Sequence, residues 1–174
     1  MTPHSPISHR KGLSSSNIYN EILPNNIEDI IIQMPLDFAN QWVTEVRNKG
    51  ADIVIILSSL GLPYDREERF DEIVQQVDGE QPKMNPDLNA LTLAHKVNDV
   101  DIIVTGGVSK GYDTPWVDPT THTLVVQNYG NISGIGHLEL LIDSKTKKIA
   151  GYEYPTDRGI IVTLLQDDVP ADPI

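Results

Sequence analysis

Two stretches decide how this chain reads: Gly50-Ala51-Asp52-Ile53-Val54-Ile55-Ile56-Leu57-Ser58-Ser59-Leu60-Gly61 and Val100-Asp101-Ile102-Ile103-Val104-Thr105-Gly106-Gly107-Val108-Ser109-Lys110-Gly111. Each is a short unbroken aliphatic run that enters a small, glycine-containing turn. The runs 53–57 and 102–105 lack polar alternation, which predicts strands with both faces covered, as in a parallel sheet. Working outward, Pro35 to Asn48 predicts a helix. Pro35 suits its first position, Asp37 the positive end of its dipole and Gly50 its stop. Ala39, Trp42, Val43 and Val46 fall on one face of that helix.

A second helix is expected after Asp65, where Asp65 and Glu68 have capping-box spacing. Phe70, Ile73, Val74 and Val77 form its stripe, and Gly79 ends it. A third is expected from about Asn85-Pro86-Asp87, with Leu88, Leu91, Ala94 and Val97 inward. Beyond Gly111 the pattern becomes β: about 123–128, 136–143, 147–154 and 159–165, with Asp143-Ser144-Lys145-Thr146-Lys147 as a hairpin turn. Residues 1–12 lack apolar periodicity and read as a flexible arm. Helix–strand alternation followed by a β-rich end predicts a mixed α/β architecture.

Composition narrows the function classes. The 174 residues are 39% hydrophobic and carry a net charge of −12. That suits one folded domain with a real core. It weighs against binding to nucleic acid or an anionic membrane, which calls for clustered Lys and Arg. There is no cysteine, so disulfides, thiolate catalysis and Cys-zinc sites are excluded. No run approaches the roughly 20 apolar residues of a membrane span. Met1-Thr2-Pro3-His4-Ser5-Pro6 lacks an apolar signal core, so the chain as written is expected in the cytoplasm.

The order and spacing of several segments resemble the later part of the metal-dependent domain of the 5'-nucleotidase and UDP-sugar hydrolase family, the calcineurin-like metallophosphoesterases. Gly12-Leu13-Ser14-Ser15-Ser16 resembles a Gly-Leu/Ile-Thr-Thr turn, and Gly50 to Ile55 resembles the strand that follows the family's helix. Val100 to Val104 resembles the strand before its second histidine turn. Thr123 to Gly130 and Gly134 to Leu140 resemble a later strand pair, and Asp167 to Pro173 resembles the stretch that leaves the domain. The resemblance implies a partial α/β sandwich over 13–166, a mixed sheet flanked by helices, and a tail at 167–174 leading toward a base-gripping domain not contained in these residues.

The family hydrolyses nucleotide phosphate esters with two divalent metals. Its later ligands are a histidine in Thr/Ser-His-Leu-Gly and two in Gly-His-Ser/Thr-His. Those positions fall here on Ser59, Gly107 and Ser109. A lone serine hydroxyl is a weak ligand and glycine has no side chain. The earlier Asp-x-His, Gly-Asp and Gly-Asn-His motifs are absent from the 174 residues. The resemblance therefore implies a degenerate metal site, with no cofactor expected and no hydrolysis by the chain alone.

Other residues carry candidate chemistry of their own. Gly106, Gly107, Ser109, Lys110 and Gly111 form a possible weak anion-binding loop through backbone amides. Gly106 and Gly111 have Walker spacing, but Tyr112-Asp113 stand where Lys-Ser/Thr is needed. His4 and His9 lie in the arm. His95 reads as a surface or helix-end residue, and His137 shows no ligand pattern. His122 with Asp113 or Asp118 reads as structural before metal-binding. Ser58 or Ser59 lacks the Gly-x-Ser-x-Gly turn of a hydrolase nucleophile. Trp42 and Tyr129 read as packing residues, and Trp116 as packing near the rim of the site. Asn131-Ile132-Ser133 is a glycosylation sequon that matters only if the chain is exported.

Three functions remain: a non-catalytic domain, an assembly module, or a hydrolase completed by a separate first-half chain. Helices can cover one face of the predicted sheet. The other face is expected to find a second copy or a first-half chain.

Overall fold

The computed structural model describes residues 12–13, 23, 35–79, 88–131, 133–154, 159 and 161–163. Of the flexible arm expected over 1–12, residues 1–11 lie outside the described residues, as does the tail expected over 167–174, whereas Gly12 is not part of an arm but pairs with Leu57 in the sheet. A five-stranded mixed sheet organises the rest, in the order β1-β2-β3-β5-β4. Its strands are β1 (Gly12–Leu13), β2 (Ile55–Ser58), β3 (Ile102–Thr105), β4 (Trp116–Val117) and β5 (Leu124–Gln127). β1, β2, β3 and β5 run parallel, and β4 pairs antiparallel with β5. The mixed α/β expectation therefore holds.

Among the described residues, three helices supply the layer on one side: α1 (Pro35–Asn48), α2 (Arg66–Asp78) and α3 (Ala90–Lys96). Strand register explains the core. Ile56, Ile103 and Val125 share one row and are 8%, 0% and 0% exposed. They pack with Ala39 and Val43 of α1, Ile73 of α2 and Leu91, Leu93 and Ala94 of α3 in one apolar cluster. Fully burying each of the Ile, Leu and Val side chains contributes about 1.5–3 kcal/mol. The neighbouring row, Leu57, Val104 and Val126, points to the opposite face by the period-two rule. There Ile55 is 49% exposed, Leu57 54% and Val104 41%. Among the described residues, helices cover one face of these aliphatic runs, and no helix layer lies on the other.

A β-rich end follows. β6 (Gly134–Gly136) pairs with β9 (Ile161–Thr163), and β7 (Glu139–Ile142) pairs with β8 (Ile149–Glu153), both antiparallel. The single strand expected over 136–143 is two, broken at His137-Leu138. The Asp143 turn forms as expected: its Oδ1 accepts the Lys145 and Thr146 amides at 2.9 and 2.7 Å. Those bonds hold the Asp143 carboxyl below its usual range, the Thr146 amide most strongly.

Helix ends correct two expectations. α3 begins at Ala90, not near Asn85, because Asn89 is the N-cap: its side chain accepts the Leu91 and Thr92 amides. The Asp65–Glu68 capping box does not form, since the Asp65 side chain makes no cap bond to α2. α1 ends as predicted, with Gly50 at φ +89 donating its amide to the Arg47 carbonyl.

Arg47 fastens α1 to the strands. Its guanidinium donates to the carbonyls of Ala51, Asp52 and Asp99 and pairs with Asp101, which also accepts the Val54 amide at 2.7 Å. Planar fork geometry suits this cluster and an ammonium does not. Arg47→Ala leaves several carbonyls and one carboxylate short of donors. A loss of about 2–3 kcal/mol is expected, only partly recovered by Arg47→Lys, measured as urea midpoints.

Candidate functional site

The parallel strands β2, β3 and β5 end side by side, so the residues that follow them meet at one edge of the sheet. In open α/β sheets this carboxyl edge is where ligands bind. After β2 the chain turns through Ser59-Leu60-Gly61. The Leu60 amide donates to Ser58 Oγ at 3.0 Å, and the Gly61 amide donates to Thr105 Oγ1 at 3.0 Å. After β3 the Gly106 amide donates to the Ser58 carbonyl at 3.1 Å. The two turns are thus stitched together.

Gly107 presses on Ser59. It sits at φ +95, and a Cβ built there would lie inside van der Waals contact of the Ser59 carbonyl oxygen, 3.1 Å from its carbon. Ser109 Oγ lies 3.0 Å from Tyr64 Oη, and its carbonyl accepts the Gly130 amide at 3.4 Å. Gly111 is buried, and a Cβ on it would stand 2.6 Å from the Tyr129 nitrogen. Lys110 Nζ lies 5.6 Å from the Tyr112 ring centroid. Ser59, Gly107 and Ser109 are therefore gathered at one strand-end cluster. Gly107 meets a backbone carbonyl and Ser109 a phenol.

One residue beneath the site escaped sequence reasoning. Gln127, 1% exposed, closes β5 on the helix side. Its Oε1 accepts the Leu62 amide at 2.7 Å, and its Nε2 donates to the Lys110 carbonyl at 2.5 Å. It joins the segments following β2 and β3 from below. The signal was there: a lone amide ends the apolar run Leu124-Val125-Val126.

The described histidines, His95, His122 and His137, make their contacts with other residues than Ser59, Gly107 and Ser109. The imidazole of His95 is 6% exposed and sits in the last turn of α3, so of the surface and helix-end readings the second holds. Nε2 lies 2.7 Å from Asp78 Oδ2, Nδ1 lies 3.3 Å from Asp118 Oδ2, and the Phe70 ring meets it edge-on. Bonds from Lys96 and then His95 hold the Asp78 carboxyl below its ordinary range. Asp118 is fully buried and caps the next turn, accepting the Thr120 and Thr121 amides at 2.8 Å. His122 is exposed at φ +61 and gives its backbone amide to the Asp118 carbonyl. His137 is exposed, 3.6 Å from Glu139.

Among the described residues, no group of three or more His, Asp or Glu side chains is placed to hold a metal. The donor chemistry at the strand ends points the same way. Two neutral hydroxyls and a glycine do not fit a dinuclear divalent centre, which needs carboxylates and imidazoles.

Two aromatic expectations divide. Trp42 packs against the core, but Tyr129 is 41% exposed, one side of it against Gly111. Trp116 packs on Phe70, with ring centroids 5.2 Å apart. Its buried indole N–H has no partner among the described residues. Among those residues, no helix is long and apolar enough to cross a membrane. The chain matches no protein-family model, no curated protein and no solved structure.

Proposed function

We propose that this chain is a non-catalytic module derived from the second half of a 5'-nucleotidase-like metallophosphoesterase domain. The observation that carries the reading is the meeting of the Ser59 and Gly107 turns at the carboxyl ends of two adjacent parallel strands. A phosphoesterase of that class would hold metal-binding imidazoles at such a place. This chain has a carbonyl against a glycine there, and a serine hydroxyl beside a tyrosine. The sheet with helices on one face corresponds to half of the family's sandwich in this reading.

Calorimetric titration with Mn²⁺, Zn²⁺ and Mg²⁺ tests the lost site. No stoichiometric binding at micromolar metal is expected. One or two tight ions per chain would overturn the reading and favour a hydrolase completed by a separate first-half chain.

A second reading is supported by the open sheet face. Ile55, Leu57 and Val104 are about half exposed, directly behind a tightly packed layer. An apolar face of this kind is characteristic of an interaction surface. In this reading the module acts in assembly.

A further inference from the structure

The open face is concave. β2, β3 and β5 form its floor with Ile55, Ile102, Val104 and Val126, and Leu138 and Leu140 form a wall. The hollow between them is about 430 Å³. Its amide side chains are already satisfied. Asn128 donates to the Gly134 carbonyl and accepts the Tyr129 amide, and Gln127 is held on the other face. The strand floor therefore calls for an apolar, convex occupant, because a polar one would lose its water there without replacement bonds, and the exposed His137 is the ionisable side chain in the lining.

The same chain carries such an element. Leu140 of β7 faces the groove, so the next residue, Leu141, points to the opposite side of the hairpin. Leu141 is 46% exposed and Ile142, at the register shift, 41%. The hairpin tip is basic on an otherwise acidic chain. Lys145, Lys147 and Lys148 are all exposed, and among the described residues none makes an ion pair. Asp52 and Asp99 are exposed at the amino-terminal edge of the two strands that floor the groove. A hairpin laid along those strands would bring its lysines toward unlike charge.

We propose that the β7–β8 hairpin of a second copy covers the open face, Leu141 and Ile142 against Ile55, Leu57 and Val104, with the basic tip at the acidic strand edge. The inference rests on the assembly reading and adds the identity of the partner. Reciprocal exchange gives a two-fold pair in which each copy contributes both groove and ridge. Two such contacts bury more surface than one, and a stable interface buries roughly 800 Å² per partner. The unlike charges at the tip offset part of the repulsion between two chains of net charge −12.

Light scattering coupled to size exclusion, over roughly 1 to 100 µM, is the test. The unmodified chain is expected to be a dimer in that range. Leu141→Glu and Val104→Glu should each raise the dissociation constant at least about tenfold. Replacing Lys145, Lys147 and Lys148 together by Glu should do the same. Circular dichroism of each variant establishes that the monomers are folded. A second pair, Leu141→Ser and Leu57→Ser, serves if a charged variant fails to fold. A dimer that loses affinity with Val104→Glu but not with Leu141→Glu would overturn the hairpin as occupant and leave the assembly reading standing. A folded, unmodified monomer at 100 µM would overturn both.

Discussion

Gly107→Ala is expected to destabilise this protein by roughly 3 kcal/mol or more, while Gly106→Ala, one residue earlier, changes stability by less than about 0.5 kcal/mol. The two glycines are adjacent and equally small, but their surroundings differ. At Gly107 the backbone lies at φ +95, a region that side-chain-bearing residues rarely adopt, and the new methyl would run into the Ser59 carbonyl. That obstacle is backbone, and it belongs to the turn that the Gly61–Thr105 and Gly106–Ser58 bonds hold in place. Nothing lies within 4 Å of a Cβ on Gly106. Paired urea melts measure the difference. Equal, small effects would mean that the two turns are not in contact. The same clash bears on any attempt to rebuild a metal site, since histidine at 107 carries the same Cβ. Ser59→His with Ser109→His is the gentler variant.

Gln127→Ala should cost about 3–5 kcal/mol. It opens a cavity at a position only 1% exposed and strips partners from the buried Leu62 amide and from the Lys110 carbonyl. Gln127→Met separates the two contributions, because it fills the volume without the bonds. About half of the loss is expected to remain. Since Gln127 ties together the segments that follow β2 and β3, its truncation should also speed hydrogen exchange in Leu62 and in the 106–111 turn. Full protection there in Gln127→Ala would place the rigidity of the site elsewhere.

How legible the molecule was differs by region. α1 was readable from end to end, because Pro35, the apolar stripe and Gly50 all gave the same answer. β2 and β3 were readable as aliphatic runs, but which face stays open was not. Ile55 and Leu57 have the same chemistry as Ile56, and only the helix layer distinguishes them. The start of α3 was misread because a Pro-Asp pair resembled a helix entry, whereas Asn89 makes the cap bonds. The break at His137-Leu138 was hidden within one continuous β-like pattern. At the site, the turn positions 59, 107 and 109 were singled out by the family resemblance. Their contact was not, because the mutual approach of Ser59 and Gly107 depends on the register of β2 against β3. Asp118 reads only as a possible neighbour of His122, and His95 as a surface or helix-end residue. Their burial follows from how α2, α3 and the turn after β4 converge, which no local pattern encodes.

The central proposal, a phosphoesterase-derived module that no longer performs the chemistry, is tested most directly by incubating the unmodified chain with AMP and excess Mn²⁺ and measuring released phosphate. The account predicts no release above the protein-free background, at any protein concentration that light scattering covers. Phosphate release that scales with protein and is abolished by a chelator would contradict it.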